Sequence, residues 1–273
     1  MRTIKIRVAL LIAIALLFVS ISIMISGGPL RLISEQWCLI NNTVEGALDD
    51  IKRQYGITIH YEDGTNAIPE EWRKPPDNGI AKPITKRNMC RVPPILLREL
   101  KKYPKSVIQN SLTDIYLLDS LYFYGVGYGG TAYDHSIYMT VQSIGAGYND
   151  LYLSQLFHHE LSSVFFWAYP FPSEAWADVN SKGFAYIDAV DDALSANKNG
   201  LSSDKSKLYF PEGFLSSYGY STLENDFNLY AEMAFTDPEA LKALADSYPK
   251  IHQKSALLKG FYKGISNDFF PEN

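Results

Sequence analysis

One stretch of the chain, residues 151–169, carries both a clear helix pattern and a dense group of ionisable side chains. Its apolar residues recur at three- and four-residue steps, which predicts a helix with a stripe facing the protein core. His158, His159 and Glu160 interrupt that stripe. Burying polar groups in an apolar helix is costly unless they are paired or have a function, so this helix is the first candidate for a functional element.

Within the helix, His159 and Glu160 match the first half of a His-Glu-x-x-His motif, but Ser163 stands where the second histidine would be. The motif works because two ligands one helical turn apart reach the same zinc ion, while the glutamate can take a proton from the metal-bound water. A serine hydroxyl is a poor zinc ligand. Two interpretations stay open: another side chain completes the ligand set, or the site no longer holds zinc tightly.

The N-terminus has the composition of a membrane-targeting segment. Three basic residues lie among the first seven, and residues 8–25 are apolar apart from two serines. Roughly 17–25 apolar residues suffice to cross a bilayer, whereas a cleaved signal peptide has a shorter apolar core of roughly 7–15 residues. We therefore expect an uncleaved single-pass membrane anchor over residues 1–27. By the positive-inside rule, residues 28–273 are exported to the periplasm or the cell exterior.

Composition limits what the exported part can be. Roughly 245 residues remain after the anchor, enough for one well-packed domain, and an aromatic content of 14% is typical of a globular protein. The net charge is −5 even though the anchor segment is basic. This balance argues against nucleic acid or anionic lipid headgroups as partners, and favours a protein or glycan substrate.

Two cysteines, Cys38 and Cys90, fall in the N-terminal part of the exported region. In an oxidising compartment two cysteines most simply pair, so we predict a Cys38–Cys90 disulfide within residues 28–121. Two unrelated buried thiols are the alternative. Neither cysteine has the spacing of a metal site.

Periodicity and turn signals predict an α+β fold for the rest of the chain. Predicted helices and strands comprise a helix over residues 43–56, strands within 57–63, 114–125 and 135–142, a short helix from Pro93, and two C-terminal helices divided at Pro249. The proline-rich residues 64–93 are predicted to form a long irregular loop. The glycine-containing residues 126–134 lack the strand-turn-helix setting of a phosphate loop and are interpreted as a turn.

A second informative stretch covers residues 213–235. Ser221-Thr-Leu-Glu224 has the pattern of a capping box, which predicts that a helix begins there. Glu224 and Asp226 lie in its first turns, where acidic side chains ordinarily stabilise the helix dipole. Alternatively, one of the acids of this helix, Glu224, Asp226 or Glu232, is a zinc ligand, and Tyr218 in the preceding turn hydrogen-bonds a developing oxyanion.

The order of these segments resembles a known family. The His-His-Glu helix, the segment Trp176–Tyr186, and the turn Gly213–Tyr218 before an acidic aromatic helix resemble bacterial proteins described as zinc-binding metallopeptidases. They are also similar to the catalytic domain of the anthrax lethal factor. The resemblance extends from Tyr122 to Pro238, less than half of the chain. It implies a zincin-like α+β domain, with an active-site core over residues 122–238 and C-terminal helices over residues 239–273.

The resemblance implies zinc-dependent hydrolysis of proteins or peptides in the bacterial cell envelope. His159 would be a zinc ligand, Glu160 the general base and Tyr218 the oxyanion donor. A second hypothesis is an inactive pseudopeptidase that binds an extended protein segment along the cleft and its edge strand. Zincins place that edge strand directly before the histidine helix, so residues 135–142 are expected to line the cleft, and His135 at the start of this strand could face it.

The further zinc ligand stays ambiguous under the same resemblance. Counting from Tyr218 points to Glu224 or Asp226. Aligning Ala231-Glu232 with the Ala-Glu usual in the family points instead to Asn228. His158 could replace the missing histidine only with a changed geometry, because adjacent helix residues point about 100° apart.

Overall fold

The computed structural model describes residues 43–187 and 199–270. The expected membrane anchor and Cys38 lie outside these residues, so the anchor and the Cys38–Cys90 disulfide stay predictions. Within the described part of the chain, no helix combines the length and the apolar character needed to cross a bilayer.

The described residues form a mixed α/β structure. Its helices are α1 (Thr43–Tyr55), α2 (Lys86–Met89), α3 (Val92–Leu100), α4 (Lys105–Ser111), α5 (Asp150–Ala168), α6 (Ser173–Asp178), α7 (Leu223–Thr236), α8 (Pro238–Ser247) and α9 (Pro249–Ile265). Its strands are β1 (Thr58–His60), β2 (Ile80–Pro83), β3 (Asp114–Phe123), β4 (Val126–Tyr128), β5 (Gly130–Tyr133) and β6 (Ser136–Thr140).

Most of the elements expected from periodicity are confirmed, including the histidine helix, the strands β3 and β6 and the helix break at Pro249. The prediction of an unbroken loop over residues 64–93 is wrong, because β2 and α2 lie within it. Helix α4 was not expected. Such short elements depend on pairing and packing with distant residues, which local periodicity does not reveal.

The six-stranded sheet follows the order β1-β3-β6-β5, in which β1, β3 and β6 are parallel and β5 is antiparallel to β6. Strands β2 and β4 add to β3 in antiparallel fashion. The β3–β4 hairpin turns at Tyr124 and Gly125, which have φ values of 53° and 75°. Positive φ at both central residues is what the common tight hairpin turn requires.

The interpretation of residues 126–134 as a simple turn is therefore wrong, because this segment forms β4 and β5. It is glycine-rich, so its local strand propensity is low, and pairing with β3 and β6 determines its conformation. The expected edge strand must also be corrected. Strand β6 is paired on both sides, and β5 is the last strand of the described order. His135 precedes β6 and its Nδ1 lies 3.1 Å from the Ser111 carbonyl oxygen.

Helix α5 packs into the main core. It begins at Asn149, whose side chain accepts a hydrogen bond from the Tyr152 amide, the usual arrangement of an N-cap. Phe157, Leu161 and Phe165 on its apolar face are fully buried. Each such side chain contributes about 1.5–3 kcal/mol of hydrophobic stabilisation, so this packing fixes the orientation of the polar residues on the same helix.

Helix α7 crosses α5 and is buried along nearly its whole length. Its N-cap is Thr222, whose hydroxyl accepts from the Asn225 amide at 3.0 Å. The helix therefore begins one residue later than the capping box expected at Ser221–Glu224. The Ser221 hydroxyl instead donates to the Tyr218 carbonyl at 2.6 Å, which ties the preceding turn Ser217–Tyr220 to the start of the helix.

Candidate functional site

A cleft of about 710 Å³ runs between the β4–β5 segment and one face of α5. Residues 127–132 line one wall and residues from Tyr152 to Trp167 line the other. Residues of the loop 201–205 and of α7 complete the cleft. It contains His159, Glu160, Tyr218 and Glu224, so four of the five site residues expected from the sequence share one pocket.

Glu160 lies on the floor of the cleft, 5% exposed, against strand β5. A Cβ atom added to Gly130 would lie 2.5 Å from Glu160 Oε1 and 2.7 Å from the Tyr138 carbonyl oxygen. Only glycine permits this approach of backbone to carboxylate. The close contact between strand β5 and the cleft floor therefore explains why a glycine occupies position 130, within the segment that the sequence suggested was a turn.

His159 has a hydrogen-bond partner at each ring nitrogen. Its Nδ1 lies 2.7 Å from Glu232 Oε1 and its Nε2 lies 3.2 Å from Asn225 Oδ1. The amide orientation of Asn225 is consistent with this, because its Nδ2 donates to Ser221 Oγ at 2.9 Å and that hydroxyl is already a donor to Tyr218. A zinc ligand needs one ring nitrogen with its lone pair directed at the metal. In this arrangement both nitrogens face carboxylate or amide oxygens.

Ser163 and Asn228 are hydrogen-bonded to each other. Asn228 Nδ2 donates to Ser163 Oγ at 2.8 Å, and the Ser162 hydroxyl donates to Asn228 Oδ1 at 2.6 Å. Both Ser163 and Asn228 are buried. Ser163 stands at the position of the motif's second histidine, and Asn228 is one of the three alternative positions for the later ligand. These two positions are thus adjacent in space, and a neutral polar pair fills them.

Tyr218 lies beside His159 at the cleft, with 6.2 Å between the two ring centroids. Glu224 also lines the cleft, and its Oε2 accepts a hydrogen bond from Trp167 Nε1 at 3.0 Å. The structure therefore brings one of the two expected acidic ligands, Glu224, to the same pocket as His159.

Asp226, the other expected acidic ligand, is fully buried and is not among the residues that line the cleft. Its Oδ2 accepts from Lys254 Nζ at 2.6 Å and from Trp176 and Tyr186 at 2.9 Å each. Burial raises the pKa of the Asp226 carboxyl and lowers that of the Lys254 ammonium, because it disfavours both charges, while their pairing opposes this effect. This carboxylate joins α7 to α9 and does not meet His159.

His158 is also engaged away from the cleft. It is fully buried; its Nε2 donates to Glu99 Oε2 at 2.8 Å and its Nδ1 accepts from the Tyr103 hydroxyl at 2.6 Å. Burial lowers the pKa of His158 more than its carboxylate partner raises it. Its neutral ring therefore serves to join α5 to α3, and does not complete the ligand set.

The donor set does not fit zinc. Among residues 43–187 and 199–270, no group of three or more His, Cys, Asp or Glu side chains is arranged to hold a metal ion. The chemistry of the residues gives the reason: serine and asparagine occupy two of the candidate ligand positions, and each ring nitrogen of His159 faces an acceptor oxygen, Glu232 Oε1 or Asn225 Oδ1.

Glu232 was one of the acidic candidates in this helix, whereas Asn225, the other partner of His159, was not expected from the sequence. Together with Asn228 they lie at positions i, i+3 and i+7 of α7, a spacing that puts them on one helix face. A polar stripe in an otherwise apolar helix was the signal that could have identified them.

Comparison with known proteins supports the fold. The chain is similar to a crystal structure of a protein from Bacteroides caccae described as a "putative zinc-binding metallo-peptidase", with a TM-score of 0.50 and 15% sequence identity, over 83% of this chain and 93% of that chain. No protein-family model and no curated protein matches the sequence. The similarity supports a metallopeptidase-like fold. It does not test the broken motif or the expected likeness to the lethal factor domain, which stay predictions.

Proposed function

We propose that this chain binds an extended protein segment in the cleft between β5 and α5, and that it does so without a zinc ion. The observation that carries the proposal is the hydrogen bond between Ser163 and Asn228, which fills with a neutral pair the place where the motif needs a ligand. The metallopeptidase-like fold supports a cleft suited to polypeptide.

The wall formed by β5 supports this kind of binding. This strand pairs with β6 on one side and ends the described strand order. An extended peptide can add to such an edge through backbone hydrogen bonds, while pockets beside the strand select side chains. The cleft runs along this strand and continues to the exposed Trp167, so it offers room for several residues of a bound segment.

Zinc-dependent hydrolysis is the second candidate. It is favoured by the presence of His159, Glu160 and Tyr218 in one cleft and by the zinc-binding description of the structural neighbour. It requires a metal site, and the described side chains around His159 do not provide one. Metal content therefore separates the two candidates.

The test of metal dependence is elemental analysis of the purified full chain. We expect less than stoichiometric zinc and a melting temperature that neither EDTA nor added zinc changes. One zinc per chain, lost on His159→Ala, would instead favour the hydrolase proposal, and loss of proteolysis on Glu160→Gln would then identify the base.

The test of peptide binding is selection of phage-displayed random decapeptides on the full chain. We expect enrichment of particular sequences that is lost on Gln155→Trp, because this residue lines the cleft and an indole would fill it. Gln109→Trp is the matched control, since Gln109 is exposed on α4 outside the cleft lining. Enrichment that is absent, or that survives Gln155→Trp, would contradict the proposal.

We further propose that the N-terminal segment anchors the chain in the cell membrane with the cleft on the exported side. The basis is the basic flank followed by the apolar residues 8–25. Retention of the intact chain in the membrane fraction after alkaline carbonate extraction, and protease sensitivity of its C-terminus from the outside alone, are the expected results. Release into the soluble fraction would contradict the anchor.

A further inference from the structure

We infer that the segment bound in the cleft carries an arginine or lysine side chain seated on Trp167 and paired with Glu224. This inference rests on the proposed function of the cleft and names the chemistry of its partner.

Trp167 is the first observation. It lies in the last turn of α5, lines the cleft and is 75% exposed, whereas Trp176 nearby in the chain is fully buried. A large aromatic surface left in water next to a cleft is typical of a binding site.

The edge of this indole is fixed by Glu224. Trp167 Nε1 donates to Glu224 Oε2 at 3.0 Å, so an aromatic face and a carboxylate are held side by side at the cleft. A cation over an indole face is attracted by the ring quadrupole. A charge-assisted hydrogen bond to the adjacent carboxylate adds to that attraction, and the aliphatic stem of lysine or arginine covers the apolar ring.

The charge of the cleft agrees with a basic partner. Among the described lining residues there are four carboxylates, on Glu160, Asp204, Glu224 and Glu232, against the single ammonium of Lys205 and the imidazole of His159. The chain as a whole has a net charge of −5. Complementary charge steers association and discriminates against acidic partners. An acidic segment would meet these carboxylates at close range.

The test uses peptides taken from the phage selection described above. Each enriched decapeptide is labelled with fluorescein, and further labelled peptides are made in which each basic residue in turn is replaced by norleucine or glutamate. The affinity of every peptide for the full chain is measured by fluorescence anisotropy. At one position we expect the basic side chain to bind about tenfold more tightly than norleucine, which has a similar stem and no charge. Glutamate should bind more weakly still.

Glu224→Gln should reduce that basic-to-norleucine ratio to near one, and Trp167→Leu should weaken binding of the basic peptide. Glu239→Gln is the matched control, because Glu239 is an exposed acid in the first turn of α8, outside the cleft lining. It should leave the ratio unchanged. Circular dichroism melting of each variant shows that it is folded.

The outcomes separate the two proposals. Enriched peptides without a basic residue, or equal affinities for the basic and norleucine versions, would overturn the inference and leave the peptide-binding proposal standing. Failure of the library to enrich any cleft-dependent sequence would overturn the peptide-binding proposal itself.

Discussion

Restoring the two missing ligand types should create a zinc site in this chain. The perturbation is the double substitution Ser163→His and Asn228→Glu. Their side chains now touch, with 2.8 Å between Asn228 Nδ2 and Ser163 Oγ, and Ser163 lies one helical turn from His159, the spacing at which two helix ligands reach one metal. Two imidazoles and a carboxylate would then be able to share one zinc ion, once the metal displaces Asn225 Oδ1 from His159 Nε2, the longer of the two His159 contacts at 3.2 Å.

The expected magnitudes follow from burial and contacts. Enlarging Ser163, which is 5% exposed, costs about 1–3 kcal/mol of overpacking. Loss of the two hydrogen bonds of Asn228 costs about 2 kcal/mol more. The metal-free variant should therefore be less stable than the natural chain by about 3–5 kcal/mol. Zinc at a thousandfold excess over its dissociation constant should return about 4 kcal/mol.

The assay is a thermal melt of the full chain with and without micromolar free zinc. A three-ligand site binds zinc with a dissociation constant on the order of 1 nM, and each kcal/mol corresponds to about 2–4 °C in a domain of this size. Zinc should therefore raise the melting temperature of the double variant by about 8–16 °C. The natural chain should show no change. Ser163→Ala with Asn228→Glu is the control, because it lacks the second imidazole.

Two results would refute the reasoning. A natural chain that already holds one zinc would show that the hydrogen-bonded pair does not exclude the metal. A double variant that folds without gaining zinc would show that Ser163 and Asn228 do not flank a common ligand point with His159.

Three further predictions concern stability and the expected disulfide. Lys254→Met should destabilise the protein by about 3–5 kcal/mol, because it leaves a buried carboxylate unpaired, and adding Asp226→Asn should recover part of that loss in denaturant unfolding. Burial raises the pKa of Glu99, but hydrogen bonds from three basic neighbours outweigh this effect and hold the pKa well below the usual 4.5. The stabilisation of the fold by the ionised Glu99 carboxylate is therefore complete above pH 4.5 and is lost as the pH falls further. Glu99→Gln should accordingly flatten the dependence of the melting temperature on pH below 4.5. For the Cys38–Cys90 disulfide, thiol titration of the unfolded, nonreduced chain should find no free thiol, and two per chain would refute the pairing.

How much of the fold could be predicted differed between helices and strands. The helix α5 and the break at Pro249 follow from residues within one or two turns of each other, so periodicity identified them. Strands β4 and β5 could not be identified from local sequence, because their glycines have low strand propensity and their conformation depends on pairing with β3 and β6. The contact of Gly130 with Glu160 gives the reason for one of these glycines, but it joins residues thirty positions apart.

The candidate site shows the same division. The sequence by itself determined that His159 and Glu160 share a buried helix and that Ser163 cannot act as a histidine would, since both follow from residue type and helical spacing. Only the tertiary structure decided which residues of α7 face that helix. It placed Asn228 against Ser163 and Asp226 against Lys254, because the rotation of a helix about its own axis is fixed by packing against its neighbours, and no short-range pattern encodes that packing.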